Sequence, residues 1–246
     1  MKRIMLTVAY DGTNYSGWQI QPGVPTIEGI LNTELSRLLK EEIHVIGASR
    51  TDAGVHAEGA VCVFDTNSRI PGDKFSYALN QSLPEDIRIR ASKEVADDFH
   101  PRKVPTKKTY EYRIYCDEFP LPTNRLYTHF TYLKLDVDAM KSACSYFIGE
   151  HDFKSFCSAH TDVETTVRTI YDLHIKEEGK LLTISVCGNG FLYNMVRIIA
   201  GTLIDVGCGR IQAEDIPEII EKRDRSYAGQ TAPAKGLCLH QYEFSI

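Results

Sequence analysis

No apolar run in this 246-residue chain approaches the length that spans a bilayer, so a helical membrane protein is excluded. No two of the seven cysteines form a Cys-x-x-Cys pair, and they are scattered and odd in number. That argues against both a zinc site and a disulfide framework, and makes a reducing cytoplasm the simplest home. Gly-x-Gly-x-x-Gly opening a helix is missing, as is a Walker-type loop, so nothing suggests a nucleotide cofactor. Low-complexity segments and strict short repeats are missing too. An excess of positive charge is also lacking: 28 Lys and Arg face 33 Asp and Glu, a net charge of −5. Such a balance argues against a protein that coats nucleic acid indiscriminately, but it leaves room for a local basic face. The basic opening Met1-Lys2-Arg3 runs into a short apolar stretch that Tyr10-Asp11-Gly12 cuts off, which reads as a first strand and not as a signal peptide.

What is present is ordinary globular composition, 43% hydrophobic and 25% charged, at a length that suits one large domain or two small ones. Periodicity predicts strands over 4–9, 43–48, 60–65 and 87–99, and helices over 26–40 and 72–82. Thr26 is the expected cap of the first helix. Pro101 and Pro105 bracket a basic connector that marks a boundary between residues 1–103 and 104–246. Beyond it the pattern predicts a strand over 109–116 and a helix over 136–148. A hairpin of 167–176 and 181–186 should follow, turning at Glu178-Gly179. Helices over 191–206 and 213–222 and a closing strand over 237–244 complete the chain. Each half is α+β, with a mixed or antiparallel sheet and no doubly wound order.

Three constellations carry chemistry. The first is the loop Ser49-Arg50-Thr51-Asp52-Ala53-Gly54-Val55-His56-Ala57, after an apolar run. It reads either as plain turn chemistry or as a turn presenting Asp52 to a cleft, with His56 as a spacer or an acid–base group. The second is the connector, where Arg102, Lys103, Lys107, Lys108 and Arg113 face one acid, Glu111, among Tyr110, Tyr112 and Tyr115. Basic residues interleaved with aromatics suit a phosphate backbone with bases to stack, or equally a strand edge kept soluble by lysines. The third is Arg197, inside a helix apolar on most faces. If the helix is buried its guanidinium needs an anionic partner, for which Asp52 is a candidate; the alternative is that Arg197 lies on a wet stripe or pairs with an unremarkable acid. His151-Asp152 resembles a metal pair without a second set at ligand spacing, and otherwise starts a turn or a helix.

Taken together, several segments resemble the tRNA pseudouridine synthase A family. They are the 49–57 loop; Tyr10-Asp11-Gly12-Thr13-Asn14-Tyr15-Ser16-Gly17-Trp18-Gln19; Leu79-Asn80-Gln81-Ser82-Leu83-Pro84-Glu85-Asp86-Ile87; Lys107-Lys108-Thr109-Tyr110-Glu111-Tyr112-Arg113-Ile114; His151-Asp152-Phe153; Phe191-Leu192-Tyr193-Asn194-Met195-Val196-Arg197; and Ala232-Pro233-Ala234-Lys235-Gly236-Leu237. They run in order along nearly the whole chain. The resemblance implies two ferredoxin- or RRM-like α+β halves around a central mixed, mainly antiparallel sheet, with the active-site cleft between them. It implies isomerisation of uridine to pseudouridine at positions 38, 39 and 40 of the tRNA anticodon stem-loop, with no cofactor and no metal, by a cytoplasmic homodimer. It makes Asp52 catalytic and gives Arg50 the extrusion of the base. Tyr110 stacks on the uracil, Arg197 pairs with Asp52, Leu237 lines the pocket, and Arg102, Lys103, Lys107 and Lys108 touch the RNA backbone. The family more often has glycine where this chain has Ser49, a change between small residues that leaves Arg50-Thr51-Asp52 intact. The competing classes are a non-catalytic RNA-binding module and a metal-dependent hydrolase built on His151-Asp152.

Overall fold

Ile4, Leu6, Val8 and Tyr10 alternate with half-buried residues, and all four are buried on one face of the first strand, β1 (Lys2–Tyr10). The computed structural model describes residues 1–158 and 164–244. Among these the chain forms ten strands and five α-helices, numbered in chain order. They group into two compact units, residues 1–105 with the strand from Cys238 onward, and residues 106–237.

In the first unit β1 lies between β3 (His56–Thr66) and β4 (Ile87–Val95), antiparallel to both. The two-residue β2 (Ile46–Gly47) adds to β3. The closing strand β10 (Leu237–Phe244) runs parallel to β3, Cys238 opposite His56 and Leu239 opposite Ala57. Helix α1 (Ile27–Leu39) starts where predicted: the Thr26 hydroxyl accepts the Gly29 N–H at 3.3 Å. It buries Ile27, Leu31 and Leu35. Helix α2 (Phe75–Leu79) sets Phe75 edge-on against Phe64, centroids 5.4 Å apart.

The predicted strand over 43–48 shrinks to β2 for a specific reason. The Ile43 and Val45 N–H groups donate to the side chains of Ser36 and Asn32 on α1, at 2.9 and 2.8 Å, and not to a neighbouring strand. The predicted 72–82 helix divides into a 3-10 turn, Gly72–Lys74, and α2. The boundary also differs from the sequence pattern. The break falls after Pro105, and the closing strand joins the first unit because its backbone pairs with β3.

In the second unit β5 (Thr106–Cys116) pairs antiparallel with β9 (Leu181–Gly188), β9 with β8 (Val167–Glu178), and β8 with β7 (Gly149–Asp152). A short strand, β6 (His129–Thr131), runs parallel to β5. The predicted hairpin is β8–β9, with Gly179 at φ +63° in its turn. β6 and β7 have no signal in the sequence pattern. Helix α3 (Val137–Cys144) is capped by Asp136, whose carboxylate accepts the Ala139 N–H at 3.0 Å. A 3-10 turn, Ser145–Phe147, takes the rest of the predicted 136–148 helix. α4 (Met195–Gly207) is buried almost throughout, and α5 (Ile216–Lys222) is shorter than its predicted span. All seven cysteines are free thiols.

Segment 229–232 is clasped to α4. Gly229 N–H donates to the Thr202 hydroxyl at 2.9 Å, and Ala232 N–H to the Arg197 carbonyl at 3.0 Å. A methyl group on Gly201 would stand 1.7 Å from the Gln230 carbonyl oxygen. Gly201→Ala therefore must lift this segment off the helix, at a cost of about 1–3 kcal/mol, or roughly 2–12 °C in melting temperature. A thermal melt matching that of the unaltered protein would show that the segment yields freely.

Candidate active site

The Asp52 loop is held by its backbone on both sides. Thr51 C=O accepts the Trp18 N–H at 3.0 Å, and Gly54 N–H donates to the Tyr15 carbonyl at 3.2 Å. Val55 N–H closes the turn onto the Asp52 carbonyl at 3.1 Å, with Gly54 at φ +76°. The buried Thr51 hydroxyl is 2.7 Å from the Tyr10 hydroxyl. Gly17 is needed at its position twice over. Its φ is +88°, and a Cβ there would be 2.6 Å from the Thr51 carbonyl oxygen. Residues 10–18 are thus the back wall of the loop. Trp18 is fully buried against Gly47, and Tyr15 donates to Asp86 at 2.6 Å. Burial first, and the Asp86 carboxylate second, raise the Tyr15 pKa, so the phenol stays protonated and stays a donor. On this frame Asp52 is half-buried and Arg50 exposed. A carboxylate whose neighbours are fixed on both sides pays little to be oriented when a reaction needs it.

His56, one candidate acid–base group, serves as a brace. It is buried, its Nδ1 accepts the Gly12 N–H at 3.1 Å, and the same nitrogen lies 3.1 Å from Asp11. Arg102, exposed overall, donates from Nε to the Gly47 carbonyl at 2.7 Å, and Lys103 is exposed.

In the second unit Tyr110 is buried on β5, with its ring edge-to-face on Phe191, centroids 5.2 Å apart. Exposed Lys107 lies over the Tyr171 ring at 5.3 Å, and Lys108 is half-buried. Arg113 pairs with Glu111 at 2.8 Å.

Arg197 lies on a helix that is buried almost throughout. The arginine itself is half-buried, and α4 begins four residues later than predicted because Asn194 takes a left-handed φ of 61°. Nε of Arg197 donates to the Ala232 carbonyl at 2.7 Å, and Nη1 to the Asn194 side-chain oxygen at 2.8 Å. Asn194 is held in turn by the Ser158 hydroxyl at 2.9 Å. The Ala232–Leu237 segment thus touches two elements of this unit. It binds Arg197, and its Pro233 carbonyl accepts the Tyr112 hydroxyl at 3.0 Å. Leu237 at its end is buried.

His151-Asp152 has structural duties. The Asp152 carboxylate caps the 3-10 turn Phe153–Phe156, accepts the Thr166 hydroxyl at 2.5 Å and pairs with Arg223 at 3.2 Å. Among the described residues no group of three His, Cys, Asp or Glu has the arrangement of a metal site. The sequence pattern missed the work of Tyr10, Gly17, Trp18 and Asn194. Their one signal was their presence in segments that matched a family, since hydrogen bonds spanning 41 positions leave no local period.

The model of a family described as tRNA pseudouridine synthase matches residues 6–102 and 143–245. The tRNA pseudouridine synthase A of Acetivibrio thermocellus is 50% identical over 239 residues, 97% of this chain and 98% of its own length. That of Caldicellulosiruptor bescii is 48% identical over the same shares. A tRNA pseudouridine synthase A 2 from Clostridium perfringens is 49% identical over 98% of this chain and 99% of its own. The crystal structure of a Cbf5-Nop10-Gar1 complex covers 82% of this chain and 54% of that one, at 13% identity and a TM-score of 0.36, too remote to carry weight. The chain belongs to the tRNA pseudouridine synthase family. It is an isomerase that acts on uridine in tRNA.

Proposed function

We propose that the enzyme isomerises uridines 38, 39 and 40 of the tRNA anticodon stem-loop with Asp52 as the catalytic carboxylate. The observation that carries this reading is the Asp52 loop, pinned through Thr51, Gly54 and Val55 so that a half-buried carboxylate is oriented in advance. In the reaction the bond from N1 of uracil to C1′ of the ribose breaks and a bond from C5 to C1′ forms. C5 loses its hydrogen and N1 gains one. Nothing is oxidised and nothing passes to water, so the balance calls for neither metal nor redox cofactor.

The target base must leave its stack, at a cost of a few kcal/mol. Exposed Arg50 fills the gap in the stack, Tyr110 takes the uracil face, and Leu237 closes the apolar side of its pocket. Arg197 supplies the positive charge that pairs with Asp52. Arg102, Lys103, Lys107 and Lys108 hold the A-form backbone largely by shape. The enzyme works as a homodimer in the cytoplasm. These roles are supported by the resemblance position by position, and by the environment of each residue within its own unit.

The test is tritium release from C5-labelled uridine in a tRNA transcript. Isomerisation frees that hydrogen, with turnover that persists in chelator. A module that only binds RNA would show salt-dependent affinity and no release, which would sink the catalytic reading.

A further inference from the structure

Five arginines in the described part of the molecule pair with acids: Arg3 with Asp65, Arg37 with Glu34, Arg113 with Glu111, Arg210 with Asp205 and Arg223 with Asp152. Arg168, on β8, is not among them. It is half-buried, and among the described residues no carboxylate lies within ion-pair distance of it. Its bonds all come from one nitrogen: Nη1 donates to the Thr165 carbonyl at 2.9 Å and the Val167 carbonyl at 2.6 Å. A guanidinium carries five N–H groups in a fixed fork. The Nε and Nη2 groups of Arg168 have no acceptor among the described residues. Half-buried Arg88 and Arg225 also lack a carboxylate: Arg88 likewise bonds through Nη1 alone, to the Leu83, Pro84 and Ile87 carbonyls, whereas Arg225 uses both Nη atoms, on Ala228 and Thr231. Burial lowers the Arg168 pKa from its ordinary value, and the nearby Cys157 thiol opposes that shift.

The position of this cation connects it to the proposed site. Its Cδ and Nε lie 3.7 Å from where Gly190 would carry a Cβ, so the guanidinium stem passes directly over that glycine. The next residue, Phe191, stands edge-on to Tyr110 at 5.2 Å. Arg168 thus packs on Gly190, and the adjoining Phe191 packs on the ring assigned to stack on uracil. The two carbonyl bonds fix Nη1 and leave the other edge of the fork for a bidentate anion.

We propose that Arg168 grips the RNA phosphate adjacent to the target uridine, holding the strand while the base stacks on Tyr110. This binding role rests on Tyr110 being the stacking residue.

The experiment measures tRNA affinity as a function of salt for the unaltered protein and for Arg168→Met, which keeps the aliphatic stem. The variant should bind about tenfold more weakly at low salt, and its log–log salt slope should fall by about 0.7–0.9, the share of one phosphate contact. An unchanged affinity and slope would overturn the proposal. If the variant fails to fold, the unaltered protein decides with an anticodon stem-loop bearing neutral methylphosphonates on either side of the target uridine. Binding weaker by about tenfold supports the phosphate grip, and binding equal to the native RNA overturns it. Asp52→Asn measured alongside keeps the two readings apart. If that variant is fully active, the Asp52 assignment falls, while the salt slope still decides Arg168.

Discussion

Asp52→Asn yields a folded protein that binds tRNA and forms no pseudouridine. The side chains are isosteric, and fastenings of the loop through its backbone and the Thr51 hydroxyl stay intact in the variant. They are the Trp18–Thr51, Tyr15–Gly54 and Asp52–Val55 backbone bonds and the Tyr10–Thr51 hydroxyl pair. The melting temperature should stay close to that of the unaltered enzyme. What disappears is the negative charge and the basic lone pair. A positioned carboxylate acting as base or nucleophile contributes on the order of 10²–10⁴ in rate. The single-turnover rate of tritium release should therefore drop at least about 10³-fold, which is roughly 4 kcal/mol of transition-state stabilisation. A rate within tenfold of the unaltered enzyme would remove Asp52 from the chemistry and return its loop to ordinary turn structure.

Arg197→Leu should leave a folded protein with at most about one hundredth of the activity, the loss falling on kcat more than on KM. Leucine suits the apolar surroundings of α4, where Met195, Val196, Ile198 and Ile199 are all buried. The substitution breaks the bonds to Ala232 and Asn194, each worth about 1.5–3 kcal/mol for a charged donor. The leucine's better burial offsets part of that. Arg197→Lys separates the two roles. Lysine keeps the charge, but a single ammonium has no planar fork to span the Ala232 and Asn194 acceptors and an anionic partner together. Intermediate activity in the lysine variant with near-absent activity in the leucine variant is the expected pattern. If activity in both falls only as far as the folded fraction falls, Arg197 is a clasp for the 229–232 segment and has no part in the reaction.

Local elements were legible wherever their signal is local. Thr26 before an apolar stripe predicts α1 with its cap, and the Thr26 hydroxyl does cap it. Glu178-Gly179 between two alternating runs predicts a hairpin, and the left-handed glycine sits in its turn. Misreadings arose where a distant partner took over the backbone. Residues 43–45 look like a strand, yet α1 side chains claim their N–H groups. The pattern over 191–206 looks like one helix, yet Asn194 turns left-handed, with its side chain bonded to Ser158 and Arg197.

By itself the sequence determined the α+β class, the bulk of the helices and strands, and the family, because caps, turns and apolar periods act over a few residues. It also singled out Asp52, Tyr110 and Arg197 as residue types suited to RNA chemistry. Only the tertiary structure decided how the Asp52 loop is held, that His56 braces Gly12 and Asp11, and that β10 returns to β3. It alone showed that Arg168 stands half-buried without an acid among the described residues. Each of these rests on contacts between distant parts of the chain, 182 positions apart for the Glu58–His240 pair beside the β3–β10 ladder. No periodicity encodes such pairings; they are selected by what the folded core brings within hydrogen-bonding distance.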